Sequence, residues 1–278
     1  MVTLSTAPPA GDAGLFGPGS MAWRIDGEAL ILAGGTAALL MQLAHPAVAA
    51  GVAQHSDFRA DPFARLRRTL TASYAVVFGT TSRAERAIRR MNAIHGVVRG
   101  AVPETGEAYH ATDPALLLWV HATLVDTALR VHDRYVARLS AAEQQAYHAE
   151  SRQVAIRLGV PAEAVPETLV ELRAEMLRLM TSGTVAVSDT ARGLAPSVLY
   201  PSRFPPRPAW DAGHLISMSV LPDPIRRGYG LAWSAARERG MRRVGNASRR
   251  VVPLLPRRLR RVPQAVAAER RVSGPTAR

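Results

Sequence analysis

The 278-residue chain contains no cysteine and no lysine. The absence of cysteine excludes disulfides, thiolate zinc sites, iron–sulfur clusters and cysteine nucleophiles. The absence of lysine excludes a Schiff-base lysine, a lysine general base and a phosphate-loop lysine. Any chemistry that this chain carries must therefore rest on arginine, histidine, hydroxyl and carboxylate side chains.

Positive charge is concentrated near the C-terminal end. The net charge is +13, and residues 223–278 hold 15 arginines against three acidic residues, which leaves about +1 for residues 1–222. Such a segment is typical of a solvated basic surface, and it also suits contact with acidic lipid headgroups. Aromatic residues do not alternate with these arginines in a stacking pattern, so the segment does not indicate nucleic-acid binding.

Apolar positions recur every three or four residues, and no stretch alternates strictly between apolar and polar. This periodicity predicts an all-α fold built as a multi-helix bundle. Asp-Pro pairs at Asp61 and Asp113 are typical helix starts, and Ser140 with Glu143 matches a capping box.

The Pro-rich stretch LAPSVLYPSRFPPRPAW is expected to be a loop, because proline lacks an amide hydrogen and interrupts a helix. With the charge distribution, this gives three expected regions. We expect a flexible leader over residues 1–20, a helical ligand-binding domain over 21–222, and a basic helical extension over 223–278.

An uncharged stretch from Ala29 to Gln54 is long enough to span a membrane. Gln42, His45 and Pro46 lie inside it and favour a buried core helix instead. Pro46 lacks an amide hydrogen, so we predict a kink or break there that leaves the carbonyl of Gln42 without its helical partner. The N-terminus has no secretion-signal pattern, and we expect a cytoplasmic protein.

Histidines provide the strongest indication of a site. Four of them fall on apolar faces of predicted helices: His45, His95, His121 and His132. One such histidine is usually a hydrogen-bonded core residue. Four on the inner faces of three helices indicate a buried prosthetic group, and in a chain without cysteine the natural candidate is a haem held by one imidazole.

A second cluster lies on the helix that follows the Asp61-Pro62 start. Arg65, Arg68 and Thr69 stand three and four residues apart and share one helix face. They suit pairing with haem propionates or hydrogen bonding to iron-bound oxygen, although an ordinary exposed arginine face gives the same pattern.

Two other enzyme classes have weaker support. A di-iron carboxylate site needs Glu-x-x-His on two helices, and this chain has that pattern once, from Glu107 to His110, with Asp211 to His214 as its nearest echo. A serine hydrolase needs a Gly-x-Ser-x-Gly elbow, which the sequence lacks.

Four blocks of the chain resemble, in order, the bacterial family DUF2236, which groups with the MpaB-type oxygenases and the latex-clearing rubber oxygenases. They are QLAHPAVAAGVAQHS, RLRRTLTASYAVVFG, IHGVVRG and DPALLLWVHATLVD. The resemblance runs from about Trp23 to Arg261. It implies an all-helical fold with a globin-like core around a buried b-type haem. It also implies an oxygenase or oxidase that acts with dioxygen on an apolar small molecule.

The resemblance further implies residue roles. His95 matches the iron ligand of the rubber oxygenases, His121 matches a histidine that supports the pocket, and His45 marks a bend beside it. Where some of these enzymes carry an iron-capping lysine, this chain has Arg68, a poor ligand because it keeps its proton. We therefore expect a five-coordinate or water-bound resting iron. The residues expected on the distal, catalytic side are Arg65, Arg68 and Thr69, with Arg65 also contacting the haem.

A different class of function stays open. The chain would then be a non-catalytic helical protein whose basic C-terminus binds a membrane surface or a protein partner. Removing residues 223–278 would abolish that activity, whereas His95→Ala would leave it intact. The alternative rests on five arginine pairs: Arg226-Arg227, Arg242-Arg243, Arg249-Arg250, Arg257-Arg258 and Arg260-Arg261.

Overall fold

The computed structural model describes residues 11–56 and 62–273, without the side chains of residues 62–66. Within these ranges the chain is almost entirely helical. The first helices are α1 Met21–Asp26, α2 Gly35–Leu43, α3 Pro46–His55, α4 Pro62–Phe78, α5 Thr81–Val97, α6 Pro114–Val131 and α7 Ala141–Arg157. The later helices are α8 Leu169–Thr181, α9 Asp189–Leu199, α10 Arg207–Gly213, α11 Leu215–Val220, α12 Asp223–Gly228, α13 Ala235–Val251, α14 Arg257–Arg260 and α15 Pro263–Ser273.

Short irregular helices join these elements. Within the described ranges, three are 3-10 helices, Ala29–Gly34, Ala162–Ala164 and Val252–Leu254, and one is a π-helical turn, His132–Val136. The predicted helical class is therefore confirmed.

One small β-hairpin departs from the all-α prediction. Strands β1 Arg99–Ala101 and β2 Ala108–His110 pair antiparallel, with Gly100 opposite Tyr109. Each strand has three residues, which is too short for an alternating pattern to be visible in the sequence.

The predicted helix starts agree with the structure where it describes them. Asp113 accepts a hydrogen bond from the Ala115 amide at 2.8 Å, and Ser140 forms a reciprocal capping box with Glu143. The Asp61 start lies outside the described residues.

The loop predicted for the Pro-rich stretch is wrong at both ends. Helix α9 continues through Pro196 to Leu199, and α10 begins at Arg207. Proline removes one helical hydrogen bond, but α9 buries an apolar face that includes Leu194 and Val198, and Ser188 caps its first turn. Burial of that face outweighs the lost bond.

Helix α6 is the centre of the core, and α2, α7, α8 and α11 pack around it. Among the described residues one helical stretch, Pro114–Val136, is long and apolar enough to cross a membrane, and Ala29–Leu43 with Pro46–His55 counts as a second only if this bent pair is taken as one span. Most of Pro114–Val136 is buried inside the protein, and the paired stretch contributes Leu40 and Leu43 to the main core.

The break predicted at Pro46 is present. The two helical stretches on either side of it meet at 104°, with His45 in extended backbone as the cap of α3. The expectation that the Gln42 carbonyl is free is wrong, because the His45 amide donates to it at 3.2 Å. This hydrogen bond joins residues three apart, as in a 3-10 helix. It closes the last turn of α2, where Pro46 has no amide hydrogen to donate.

Residues after 223 pack against the body at several places. The buried carboxylate of Glu28 accepts from Arg260 Nε at 2.9 Å and lies 3.4 Å from Arg261 Nη1. Helix α13 lies so close to the π-helical turn that a Cβ at Gly245 would stand 2.7 Å from the Arg134 carbonyl. Glycine at 245 therefore permits this close packing.

The leader expected at residues 1–20 also packs against the body from Gly11 onward. Asp12 Oδ2 accepts the Thr81 amide at 3.0 Å, and Phe16 contacts the main core. Residues 1–10 lie outside the described part of the chain.

A buried carboxyl joins α1 to α7. Asp26 accepts a hydrogen bond from the Tyr147 hydroxyl at 2.8 Å. Withdrawal from water raises the pKa of Asp26 to about 7, the Tyr147 bond opposes this rise, and the nearby Glu150 carboxylate adds to it. The folded protein therefore favours protonated Asp26.

We expect the stability difference between the wild type and Asp26→Asn to depend on pH. The pKa of Asp26 is higher in the folded state than its ordinary 3.8. Protonation of Asp26 therefore stabilises the folded state fully below about pH 4, and this stabilisation is lost as the pH rises through about 7. Urea denaturation should show the wild-type advantage shrinking across this range. A constant difference from pH 4 to pH 8 would contradict the assignment.

Candidate functional site

Helices α4 and α5 form an antiparallel hairpin across Gly79 and Thr80. Residues equally far from such a turn lie at the same level. His95 therefore lies near the level of Arg65 and about 6 Å along the axis from Arg68, since each helical residue rises about 1.5 Å. The hairpin brings the predicted iron ligand and the RLRRT block, residues 65–69, to the same end of the hairpin.

This end of the hairpin is open to solvent. Arg68 and Thr69 are exposed on α4, and Ile94 and Val97 are exposed on α5 by 52% and 72%. The side chain of Arg65 lies outside the described residues, so its predicted role stays a prediction. Cationic and apolar side chains together suit a ligand with an apolar body and acidic groups.

His95 is half-buried on α5, and its Nδ1 atom is shielded from solvent without a hydrogen-bond partner among the described residues. Burial lowers the pKa of His95. The imidazole is therefore neutral near pH 7 and keeps a lone pair available to a metal.

His45 lies at a different place, in the bend between α2 and α3. Its Nδ1 atom is also buried without a partner in the described structure, and burial lowers its pKa. It lines a cavity of about 110 Å³ between α6 and α8. The apolar wall of that cavity includes Trp119, Ala122, Leu172 and Met176.

The indole of Trp119 fixes the wall of this cavity. Its Nε1 donates to the Met41 carbonyl at 3.1 Å, and Trp119 is almost fully buried. This carbonyl in the last turn of α2 thereby gains a second partner beside the Ala44 amide, and the bend at His45 is held against α6.

The two histidines of the Pro114–Val136 stretch differ. His121 is buried with Nε2 unpartnered among the described side chains, and burial, with a smaller effect of nearby His148, lowers its pKa to about 4. His132 is buried too, and burial is also the main cause that lowers its pKa to about 4. Its Nδ1, however, lies 3.1 Å from the Ala137 carbonyl. His132 is thus a hydrogen-bonded core residue.

The di-iron pattern does not assemble a metal site within the described chain. His110 lies in β2 with its Nδ1 2.5 Å from the Thr112 hydroxyl. No group of three histidine, aspartate or glutamate side chains in the described ranges is placed to hold a metal ion.

Sequence reasoning missed most of the cavity wall. Leu172 and Met176 on α8 carry no pattern that separates them from other core residues. Glu175 and Arg178 also line the cavity, and their bidentate pair, at 2.6 and 2.7 Å, resembles an ordinary surface pair three residues apart.

An open groove of about 360 Å³ adjoins the cavity and shares Leu118 and Glu175 with it. Its other lining residues include Glu163 and Glu171. The acidic groove and the apolar cavity therefore lie side by side.

The described residues fit a haem at the α4–α5 end better than at the cavity. Cofactor sites usually have volumes of at least about 300 Å³, so the cavity beside His45 is too small, and the glutamates of the groove would repel propionates. The α4–α5 end offers a neutral imidazole with a buried, unpartnered nitrogen at His95, arginine at Arg68 and exposed apolar side chains. This donor set matches a group with an iron, an apolar ring and acidic arms.

Comparison with known sequences supports the family resemblance over most of the chain. A model of the family described as ER-bound oxygenase mpaB/B'/Rubber oxygenase, catalytic domain, matches residues 23–250. Two similar proteins are the uncharacterized protein Rv2237 of Mycobacterium tuberculosis and the uncharacterized protein Mb2261 of Mycobacterium bovis. Each is 27% identical over 229 residues, which cover 79% of this chain and 88% of the relative. No solved structure matches the chain with significant similarity.

We expect Trp119→Phe to lower the free energy of unfolding by about 0.5–1.5 kcal/mol, because the Met41 carbonyl loses its indole donor and keeps only the Ala44 amide, at 3.2 Å. Trp210→Phe is the matched control, since the Trp210 indole nitrogen has no partner among the described residues. It should cost clearly less in the same urea titration. Equal costs would show that the Trp119 bond does not hold the bend.

Proposed function

Because the chain belongs to the mpaB/rubber oxygenase catalytic-domain family, we propose that it is a haem b-dependent oxygenase or oxidase acting on an apolar small molecule. The observation that carries this proposal is the family match across residues 23–250. The unpartnered nitrogen of His95 at the arginine-bearing end of the α4–α5 hairpin supports the cofactor. The haem would lie at this end of the hairpin.

His95 would hold the iron through its neutral imidazole. Arg68 and Arg65 would pair with the propionates or bind the polar end of a reactant, and Thr69 would donate a hydrogen bond on the same face. When bound, a haem supplies the iron that binds and activates dioxygen. His45 and His121 would support the pocket through their unpartnered ring nitrogens.

Arginine at position 68 affects access to the site. A guanidinium keeps its proton near neutral pH and offers no lone pair to a metal. Arg68 would therefore not bind the iron, whereas a lysine at this position could.

The apolar cavity beside His45 would receive part of the substrate. Trp119, Leu172 and Met176 exclude water from it, and the Glu175–Arg178 pair stands on its polar side. The adjoining groove at Leu118 offers a path from solvent. A substrate without charge suits this wall.

The visible spectrum of the purified full chain, expressed with added haem precursor, tests the cofactor. We expect a Soret band that is lost in His95→Ala, because the iron ligand is removed. The band should survive in His45→Ala and in the control His55→Ala, an exposed histidine of α3 whose Nε2 lies 2.9 Å from the Arg99 carbonyl.

Circular dichroism would establish that each variant folds. A colourless wild type despite adequate haem, or a Soret band that His95→Ala retains and His45→Ala loses, would overturn the assignment. Incorporation of oxygen from labelled dioxygen into an alkene substrate would then distinguish oxygenase from oxidase chemistry.

A further inference from the structure

The strongest unassigned surface lies at residues 239–260, which hold eight arginines and no acidic residue. It consists of most of α13, the 3-10 helix Val252–Leu254 and α14, and we call it the basic–apolar surface. Its charge is offset only in part by neighbours. Arg257 pairs with Glu269 and Arg260 with Glu28, whereas no ion pair within the described chain reaches Arg239, Arg243, Arg250 or Arg258.

Helix α13 is anchored on one side and free on the other. Met241 and Gly245 are buried against the body, and Ser248 donates to the Tyr135 carbonyl at 2.5 Å. The opposite face carries three arginines at positions that line up along the helix. They are Arg239, Arg243 and Arg250, all exposed.

The helix leads into an exposed apolar tip, Pro253-Leu254-Leu255-Pro256. Leu254 is 82% exposed and Leu259, one turn of chain further on, is 64% exposed. These large side chains gain nothing from their present position in water. Arg250 precedes the tip, and Arg257 and Arg258 follow it.

The backbone of the tip has few free donors. Pro253 and Pro256 have no amide hydrogen, and the Leu255 and Leu259 amides donate to the carbonyls of Val252 and Pro256 at 3.1 and 2.9 Å. Satisfied amides lower the cost of placing a segment in an apolar phase.

We propose that the basic–apolar surface binds the surface of an anionic lipid bilayer, with Leu254, Leu255 and Leu259 entering the headgroup–acyl boundary and the flanking arginines contacting lipid phosphates. Exposed leucines flanked by arginines suit the headgroup region of an anionic bilayer. A nucleic acid would use the charges but not the leucines, and aromatic side chains for stacking are missing from residues 239–260. This inference does not depend on the proposed cofactor.

Cosedimentation of the full chain with phosphatidylcholine vesicles, with and without phosphatidylglycerol, tests the proposal. The wild type should bind the anionic vesicles and lose at least about tenfold in affinity when phosphatidylglycerol is left out, since each arginine near an anionic surface adds to binding. Added salt should weaken binding.

Two variants separate the parts of the surface. The apolar variant Leu254→Ser/Leu255→Ser/Leu259→Ser and the charge variant Arg243→Gln/Arg250→Gln/Arg258→Gln should each lose at least about tenfold in affinity. The changed side chains are exposed, so both variants should fold, which circular dichroism would establish. The matched controls use exposed residues elsewhere: Val170→Ser/Leu177→Ser for apolar surface and Arg86→Gln/Arg90→Gln/Arg203→Gln for charge.

Full binding by the apolar variant, or equal binding to vesicles with and without phosphatidylglycerol, would overturn the proposal. A second result would also overturn it: the wild type binds a DNA duplex but no vesicles, and the apolar variant keeps the DNA binding, as measured by fluorescence anisotropy.

Discussion

The missing amide hydrogen of Pro46 is the constraint on which the centre of the molecule depends. It ends the first long apolar segment at His45 and turns the chain through 104°. Carbonyls of the last turn of α2, which also accept the Ala44 amide, take side-chain donors: Trp119 Nε1 donates to Met41, and the Tyr229 hydroxyl donates to Leu40 at 3.0 Å. Segments far apart in sequence thus meet at one bend, where the wall of the cavity beside His45 is formed.

Local rules in the sequence predicted much of the fold. Three local features could be predicted because each depends on a few neighbouring residues: the helix start at Asp113, the capping box at Ser140 and the break at Pro46. Helix α9 could not, because Pro196 is tolerated only through tertiary burial of Leu194 and its neighbours. The short β-hairpin contains too few residues to show a period.

The candidate site was less accessible from the sequence. Periodicity gave four equivalent histidines, and only the folded structure separates His132, which has a hydrogen-bond partner, from the other three. The family resemblance, and not the pattern, favoured His95. The turn between α4 and α5 then explains how the RLRRT block and His95 reach the same end of the hairpin. The wall around His45 depends on contacts between α2, α6 and α8, which no local pattern specifies.

The central claim is that His95 holds an iron at the open end of the α4–α5 hairpin, apart from the cavity beside His45. An anomalous difference map at the iron absorption edge, from crystals of the full chain grown with its native cofactor, tests this directly. The account predicts one iron peak within bonding distance of the His95 imidazole. A peak at His45 or His121, or no iron peak in crystals of a protein expressed with adequate haem, would contradict it.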